Sequence, residues 1–161
     1  MLLGYELLQG QTGHEAGRAL LARLYRQYTG QAMPAIKISE RGKPYFPDGK
    51  VFFSISHTPK HVFCAISDRP IGIDAEEADR NIRPALAEKI LSDAELSQYR
   101  TAADPRLALL AFWVLKEAAA KCSGLGLQGY PCHTAFSLDD PRLQQIDGCL
   151  VAVIEEENYA V

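Results

Sequence analysis

No stretch of this 161-residue chain approaches the roughly 18 to 20 consecutive apolar positions that a membrane-spanning helix needs. The N-terminus, MLLGYELLQG, also lacks the basic flank and long apolar run of a secretory leader. Cys64, Cys122, Cys132 and Cys149 show no CxxC pair and no metal-ligand spacing, and a chain of this size does not depend on disulfide staples. They read as buried, reduced thiols of a cytoplasmic protein. Strong net charge is missing too: 17 basic against 20 acidic side chains leave -3, which excludes a global field for nucleic acid or an anionic membrane. Any charged partner must be met locally. No GxxxxGK[ST] phosphate loop, HExxH or GxSxG occurs. GLGLQG, residues 124–129, matches the dinucleotide fingerprint GxGxxG in letters only, because it follows a helical pattern rather than a strand and reads as a helix terminator and loop. His57 and His61 are four apart but straddle Pro59, which breaks the helix they would need to chelate a metal together.

What remains is enough to fold. An apolar content of 47% supports one compact domain or two small, closely packed halves. Residues 2–8 read as a short strand. HEAGRALLARLYRQYTG reads as an amphipathic helix with Ala16, Leu20, Leu24 and Tyr28 on one face, Arg18, Arg23 and Arg26 toward the other, and Gly30 as its stop. From Lys50 the period shortens. VFFSIS, HVFCAIS and IGIDAE, separated by HTPK and SDRP, are expected to form a three-stranded antiparallel meander. RPALAEKIL is helical; Ser92 and Glu95 form a capping box that opens a further short helix. Asp104 and Pro105 start the next helix, whose residues 107–115 are apolar throughout and so must be buried. Gly124 and Gly126 end it. TAFSL, and GCLVAVIEEE after the Asp147-Gly148 turn, read as strands, giving an α+β order with no repeat and no low-complexity linker.

FWVLKEAAAK, residues 112–121, sets Lys116, Glu117 and Lys121 into this apolar helix. At about 100° per residue Glu117 falls in line with Leu110, Val114 and Trp113, with Lys121 one turn further along the same edge, while Lys116 takes the wet side. Either Glu117 and Lys121 are an ordinary surface pair at i, i+4, or they serve a site, because a carboxylate against an apolar face is costly unless something pairs with it. In IGIDAEE strand alternation turns Gly72, Asp74 and Glu76 one way and Ile71, Ile73 and Ala75 the other. Two carboxylates about 7 Å apart on one strand face can converge on a hard cation such as Mg²⁺; a polar strand face at a sheet edge is the alternative. His57, in a turn, and Lys43, between Gly42 and Pro44, need no function singly, but with Lys121 they suit an anionic ligand.

GKPYF, SISH, IGIDAEE, LSDAE and FWVLKEAAAK, in that order, resemble the motifs of the 4'-phosphopantetheinyl transferases of the surfactin-synthetase-activating type. That pattern reads approximately GKP, N-x-S-H-S, G-[IV]-D-x-E, F-[ST]-x-x-E and W-x-x-K-E-[SA]-x-x-K. The resemblance runs from about Arg41 to Gly129, with Ser54 where the family often has Asn and Ala118 where it often has Ser. It implies transfer of phosphopantetheine from coenzyme A, the substrate, to a serine of an apo acyl or peptidyl carrier protein, releasing 3',5'-adenosine bisphosphate. By position it makes Asp74, Glu76 and Glu117 ligands of Mg²⁺, with Glu117 also accepting the serine proton. Lys121 joins Glu117 in catalysis and, with His57, meets coenzyme A phosphates; Ser56 also binds coenzyme A, and Gly42, Lys43 and Pro44 line its adenosine end.

The same resemblance implies two similar halves, each a helix packed on a small, mainly antiparallel sheet, with the ligand in the cleft between. These would be a shortened half at 1–67 and a half at 68–161 that carries the metal and catalytic motifs. Arg23 and Arg26 are the candidates for coenzyme A contacts from the short half, and the carrier is expected to dock near the helices after IGIDAEE. The closing YAV falls where a last strand would begin, which leaves a sheet edge unpaired as an expectation. A cytoplasmic monomer is expected, with a dimer as the alternative, and neither nucleic acid nor membrane as partner. A non-catalytic coenzyme A or carrier-binding module and an unrelated Mg²⁺-dependent phosphohydrolase are the competing readings.

Overall fold

The computed structural model describes residues 1–125 and 135–157. Strand β1 (Leu2–Leu7) leads into α1 (Gly13–Thr29), and the short strands β2 (Lys37–Ile38) and β3 (Pro44–Tyr45) precede β4 (Phe52–His57), β5 (His61–Ser67) and β6 (Ile71–Glu77). After a 3-10 turn at Pro84–Leu86 come α2 (Ala87–Ile90), α3 (Asp93–Thr101) and α4 (Pro105–Ser123), then β7 (Leu143–Ile146) and β8 (Cys149–Glu155). The helix ends follow from local chemistry. Thr12 and Glu15 cap α1 reciprocally and Gly30 closes it at φ 75°. Ser92 and Glu95 box α3, while Asp104 accepts from the Leu107 N–H at 3.0 Å ahead of Pro105 to start α4. Among the described residues no helix is long and apolar enough to cross a membrane.

Two three-stranded antiparallel sheets, ordered β1-β5-β4 and β6-β8-β7, face each other. Helix α1 covers the outer face of the first through Leu20, Leu21 and Leu24 against Val62, Cys64 and Ile66. Helix α4 covers the second through Leu110, Val114 and Ala118, packed with Leu150, Ala152 and Ile154. Between the sheets, Phe63 and Ala65 meet Ile71, Ile73, Val151 and Val153. The expected α+β architecture is therefore found, as helix, sheet, sheet and helix in layers.

The meander is not. Strand β6 pairs with β8 over seven residues instead of with β5, whose two edges are already taken by β1 and β4. β6 does lie beside β4, in the same direction, but side chains replace the ladder. Ser54 Oγ accepts from the Ile73 N–H at 3.1 Å and Ser56 Oγ from the Ala75 N–H at 3.2 Å. These buried hydroxyls satisfy two amides that would otherwise be orphaned at the seam. TAFSL is not a strand either: Thr134 lies outside the described residues, and the Phe136 N–H is spent on the Glu95 carboxylate at 2.8 Å. The strand that pairs with β8 in the closing hairpin is instead LQQI, which has no apolar alternation to announce it; Asp147 and Gly148, at φ 48° and 78°, make the tight turn into β8. Gly124 ends α4 at φ 70°, while Gly126, the rest of GLGLQG, Cys132 and the closing YAV lie outside the described residues. Cys64, Cys122 and Cys149 are buried and free, as expected of reduced thiols.

Gly72 sets how closely α4 approaches β6. A Cβ there would lie 2.0 Å from the Ala118 carbonyl oxygen and 2.4 Å from the Cys122 nitrogen, both backbone atoms. The helix cannot yield without moving as a body. Gly72→Ala is expected to destabilise the fold by about 3 kcal/mol, the upper end of overpacking costs, read as a lower urea midpoint; an unchanged midpoint would show that α4 sits less tightly than described.

Candidate active site

The close approach at Gly72 brings the charged residues of α4 onto β6. As strand alternation requires, Gly72, Asp74 and Glu76 share the face that α4 covers, and Lys121 Nζ reaches Asp74 Oδ1 at 2.7 Å. Asp74 is 5% exposed, and its Oδ1 also accepts from Ser56 Oγ at 3.1 Å. Its Oδ2 is buried, and among the described residues it meets no hydrogen-bond donor. An acceptor left bare in the interior is costly unless a cation or donor completes it.

Glu117, one turn before Lys121, is half-buried. Burial pushes its carboxyl above the usual glutamate range and the Asp74 charge pushes the same way, with Lys121 and Arg80 opposing. Glu76 is held by an ion pair with Arg80, whose segment is fixed in turn by Arg106, donating to the Ala78 and Arg80 carbonyls at 2.7 and 3.2 Å. Arg80 stands four residues after Glu76, a spacing usually noted on helices; on a strand continuing into a turn it gave no signal.

The GKP segment arrives from the other side. Gly42 sits at φ 81° in a turn closed by the Gly42 N–H to the Ser39 carbonyl at 2.9 Å, as the expected bend at Gly42 and Pro44 requires. The turn aims Lys43 at the end of α4, where Nζ donates to the Cys122 carbonyl at 2.7 Å. A lysine on the last carbonyls of a helix is electrostatically favourable. Burial lowers the Lys43 ammonium, and Cys122 and Glu156 oppose that.

A cleft of about 290 Å³ results, lined by Gly42, Lys43 and Pro44 on one wall and Glu117 and Lys121 on the other, with Ser54 and Arg41 between. Of the residues singled out from the sequence, those five share the cleft. Asp74 and Ser56 join it through Lys121, and Glu76 sits one strand position pair beyond Asp74 on the same face. His57 is exposed and packs its ring on Gly13 at the first turn of α1; a Cβ at Gly13 would lie 2.4 Å from the ring. Arg23 is engaged with Glu6 at the surface. Ser54 and Arg41 are cleft residues that sequence reasoning did not assign; Ser54 was legible only as a departure from the pattern.

Lys116 corrects one expectation outright. It is 3% exposed, not on a wet edge, and its Nζ meets Glu95 Oε2 at 2.9 Å, Glu95 itself being fully buried. Helix α4 has no wet edge there, because α3 covers the side that β6 and β8 leave open.

Residues 70–156 match the 4'-phosphopantetheinyl transferase superfamily. The chain is 31% identical over 141 residues to a 4'-phosphopantetheinyl transferase of Aneurinibacillus migulanus, covering 82% of this chain and 58% of that protein. It is 34% identical over 123 residues to enterobactin synthase component D of Escherichia coli K12, covering 70% of this chain and 54% of that one. A 4'-phosphopantetheinyl transferase of Bacillus subtilis strain 168 is 34% identical over 91 residues, covering 55% of this chain and 40% of its own length. The chain thus spans about half the length of the curated relatives it matches. With β6 and α4, the elements that carry Asp74, Glu117 and Lys121, both falling within the matched region, the chain belongs to the 4'-phosphopantetheinyl transferase superfamily.

Proposed function

We propose that this chain transfers 4'-phosphopantetheine from coenzyme A to a serine of an apo acyl or peptidyl carrier protein. The observation that carries this reading is the convergence of Lys121, Asp74 and Glu117 beside a cleft whose opposite wall is the Gly42-Lys43-Pro44 turn. Covalent chemistry asks little of the protein here; positioning and charge neutralisation do most of it. In the step, the serine Oγ forms a bond to the phosphorus that bears the pantetheine arm. The pyrophosphate bond breaks, and 3',5'-adenosine bisphosphate leaves with the bonding pair. Glu117, whose raised pKa makes it a better proton acceptor than an exposed glutamate, takes the serine proton directly or through water.

Lys121 turns its ammonium between Asp74 and the phosphates. Lys43, half-buried on the Cys122 carbonyl, gains by exchanging that dipole for an anion at the adenosine end. His57 stands over the first turn of α1, where helix N-termini favour phosphate oxygens, and Ser56 keeps Asp74 oriented. The bare Oδ2 of Asp74 fits a hard cation, so Asp74, Glu76 and Glu117 are the residues that would hold Mg²⁺, Glu76 by giving up Arg80. Bound there, the ion would neutralise charge developing on the pyrophosphate. The ligand cleft falls between a half at 1–67 and one at 68–161 in this reading, because each contributes one sheet and one wall. A cytoplasmic monomer is part of the proposal: coenzyme A is met in the cytoplasm, and one chain supplies both walls.

The test is intact mass of several apo carrier proteins after incubation with the protein, coenzyme A and Mg²⁺. The expected result is a gain of one phosphopantetheine per carrier that EDTA prevents. Coenzyme A binding with no carrier modified would replace the enzyme by a binding module, and product released from coenzyme A without any carrier would make it a hydrolase.

A further inference from the structure

The core between the two sheets ends in three metal-ligating side chains. Along β5 the inward row is His61, Phe63 and Ala65; along β6 it is Ile71, Ile73, Ala75 and Glu77; along β8 it is Cys149, Val151 and Val153. The apolar members pack together, and at one end each strand delivers a possible donor: imidazole, carboxylate and thiol. Their ligand atoms all lie within 4.8 Å of one another. We propose that His61, Glu77 and Cys149 form a zinc-binding site, separate from the Asp74, Glu76 and Glu117 carboxylates.

The separations suit one ion. His61 Nδ1 lies 3.1 Å from Glu77 Oε1 and 3.5 Å from Cys149 Sγ. Tetrahedral zinc with bonds of about 2.0–2.3 Å puts nitrogen and oxygen donors about 3.4 Å apart, and nitrogen and sulfur about 3.6 Å apart. Nδ1 carries at most one proton, yet it faces two partners at once.

The second ring nitrogen completes the pattern. His61 Nε2 meets Asp147 Oδ2 at 3.0 Å, the carboxylate on the outer nitrogen that orients metal-bound histidines. Asp147 is fixed by the tight turn before β8, and Thr58 Oγ1 donates to Glu77 Oε1 at 2.6 Å, holding the inner carboxylate as well. His61 is 4% and Cys149 0% exposed, so these donors are held in place away from bulk solvent, while the half-exposed Asp147 links the cluster to the surface.

Glu77 and Asp147 bring two carboxylates to the cluster, and Lys60, 3.9 Å from Glu77 Oε2 and largely exposed, offsets their charge only weakly. Binding one zinc releases the Cys149 thiol proton and any proton on His61 Nδ1 to solvent, with no change of oxidation state, and water takes the fourth position. Thiolate and imidazole favour zinc over Mg²⁺, which keeps the two sites chemically distinct.

The full chain, freed of metal by a chelator and dialysed, is titrated with Co²⁺ as a spectroscopic stand-in for zinc. A thiolate-to-cobalt charge-transfer band should saturate at about one ion per chain, be bleached by Zn²⁺, and persist in excess Mg²⁺. Cys149→Ala should abolish it, and Zn²⁺ should raise the melting temperature of the parent chain only. Asp147→Asn, at an exposed turn whose left-handed backbone asparagine tolerates, should keep the fold and weaken binding by about 10–100-fold. Absence of the band in the parent chain overturns the site, as does a band that survives Cys149→Ala, which would place the sulfur ligand elsewhere.

Discussion

Lys116→Met is expected to lower the unfolding free energy by about 3–5 kcal/mol, because it strands a fully buried carboxylate. Glu95 is the knot between α3, α4 and the segment before β7. Its Oε2 accepts from the Ser92 N–H at 2.8 Å and pairs with Lys116, while its Oε1 accepts from the Phe136 N–H at 2.8 Å. One side chain thus joins the start of α3, the middle of α4 and the segment before β7. Lys116 also lies 5.7 Å from the centre of the Phe136 ring, so its charge is neutralised on two sides. The pair itself need not be stabilising, since desolvating both ions offsets most of their attraction. That gives the prediction its sharp form. Adding Glu95→Gln to Lys116→Met removes the stranded charge and keeps a side chain able to cap Ser92, so the double variant should recover most of the loss. Urea unfolding of the two variants decides it. A single variant within about 1 kcal/mol of the parent would mean that water or another donor reaches Glu95.

This pair also shows where the sequence could be read and where it could not. The caps at Ser92 and Asp104, the stops at Gly30 and Gly124 and the apolar face of α1 depend on neighbours within a turn or two, and each is found where local chemistry puts it. Glu95 was legible as a capping residue and for that reason its second partner stayed hidden: capping already explained it, and Lys116 lies in another helix. Lys116 was expected on a wet edge, whereas burial depends on what covers the helix. Strand β6 failed in the same way. Its proximity to β5 in the chain suggested a meander, but pairing was decided by β8, far along the sequence. The faces of the motif residues were easier to read, because these residues recur at strand and helix periods that survive any choice of partner: Asp74 and Glu76 two apart, Glu117 and Lys121 four apart. What periodicity could not show is that Lys43 rests on α4 or that Ser54 and Ser56 stitch the two sheets.

Asp74→Asn is expected to reduce phosphopantetheine transfer by about 10²–10³-fold, the scale of losing one preorganised electrostatic group. Alanine is the poorer choice, since Asp74 is buried and holds both Ser56 and Lys121; truncation would leave those groups unpaired as well. Asparagine keeps the shape and one oxygen, which can still accept from Ser56 or Lys121, but loses the charge and with it the affinity of the bare Oδ2 position for a hard cation. Lys121 is about one-third exposed on its side chain, so water can take up its freed charge and the fold should survive. The consequence extends to Glu117, the base proposed above. The Asp74 charge is one of the causes that raise Glu117, so its removal lets the Glu117 carboxyl fall toward the ordinary range. A weaker base remains ionised to lower pH, and the acid limb of the variant's pH profile should move to lower pH even as its plateau drops. A merely structural Asp74 would lower the melting temperature and leave that limb in place. Transfer within a few-fold of the parent at saturating Mg²⁺ would remove Asp74 from the reaction and leave it a partner for Lys121 alone.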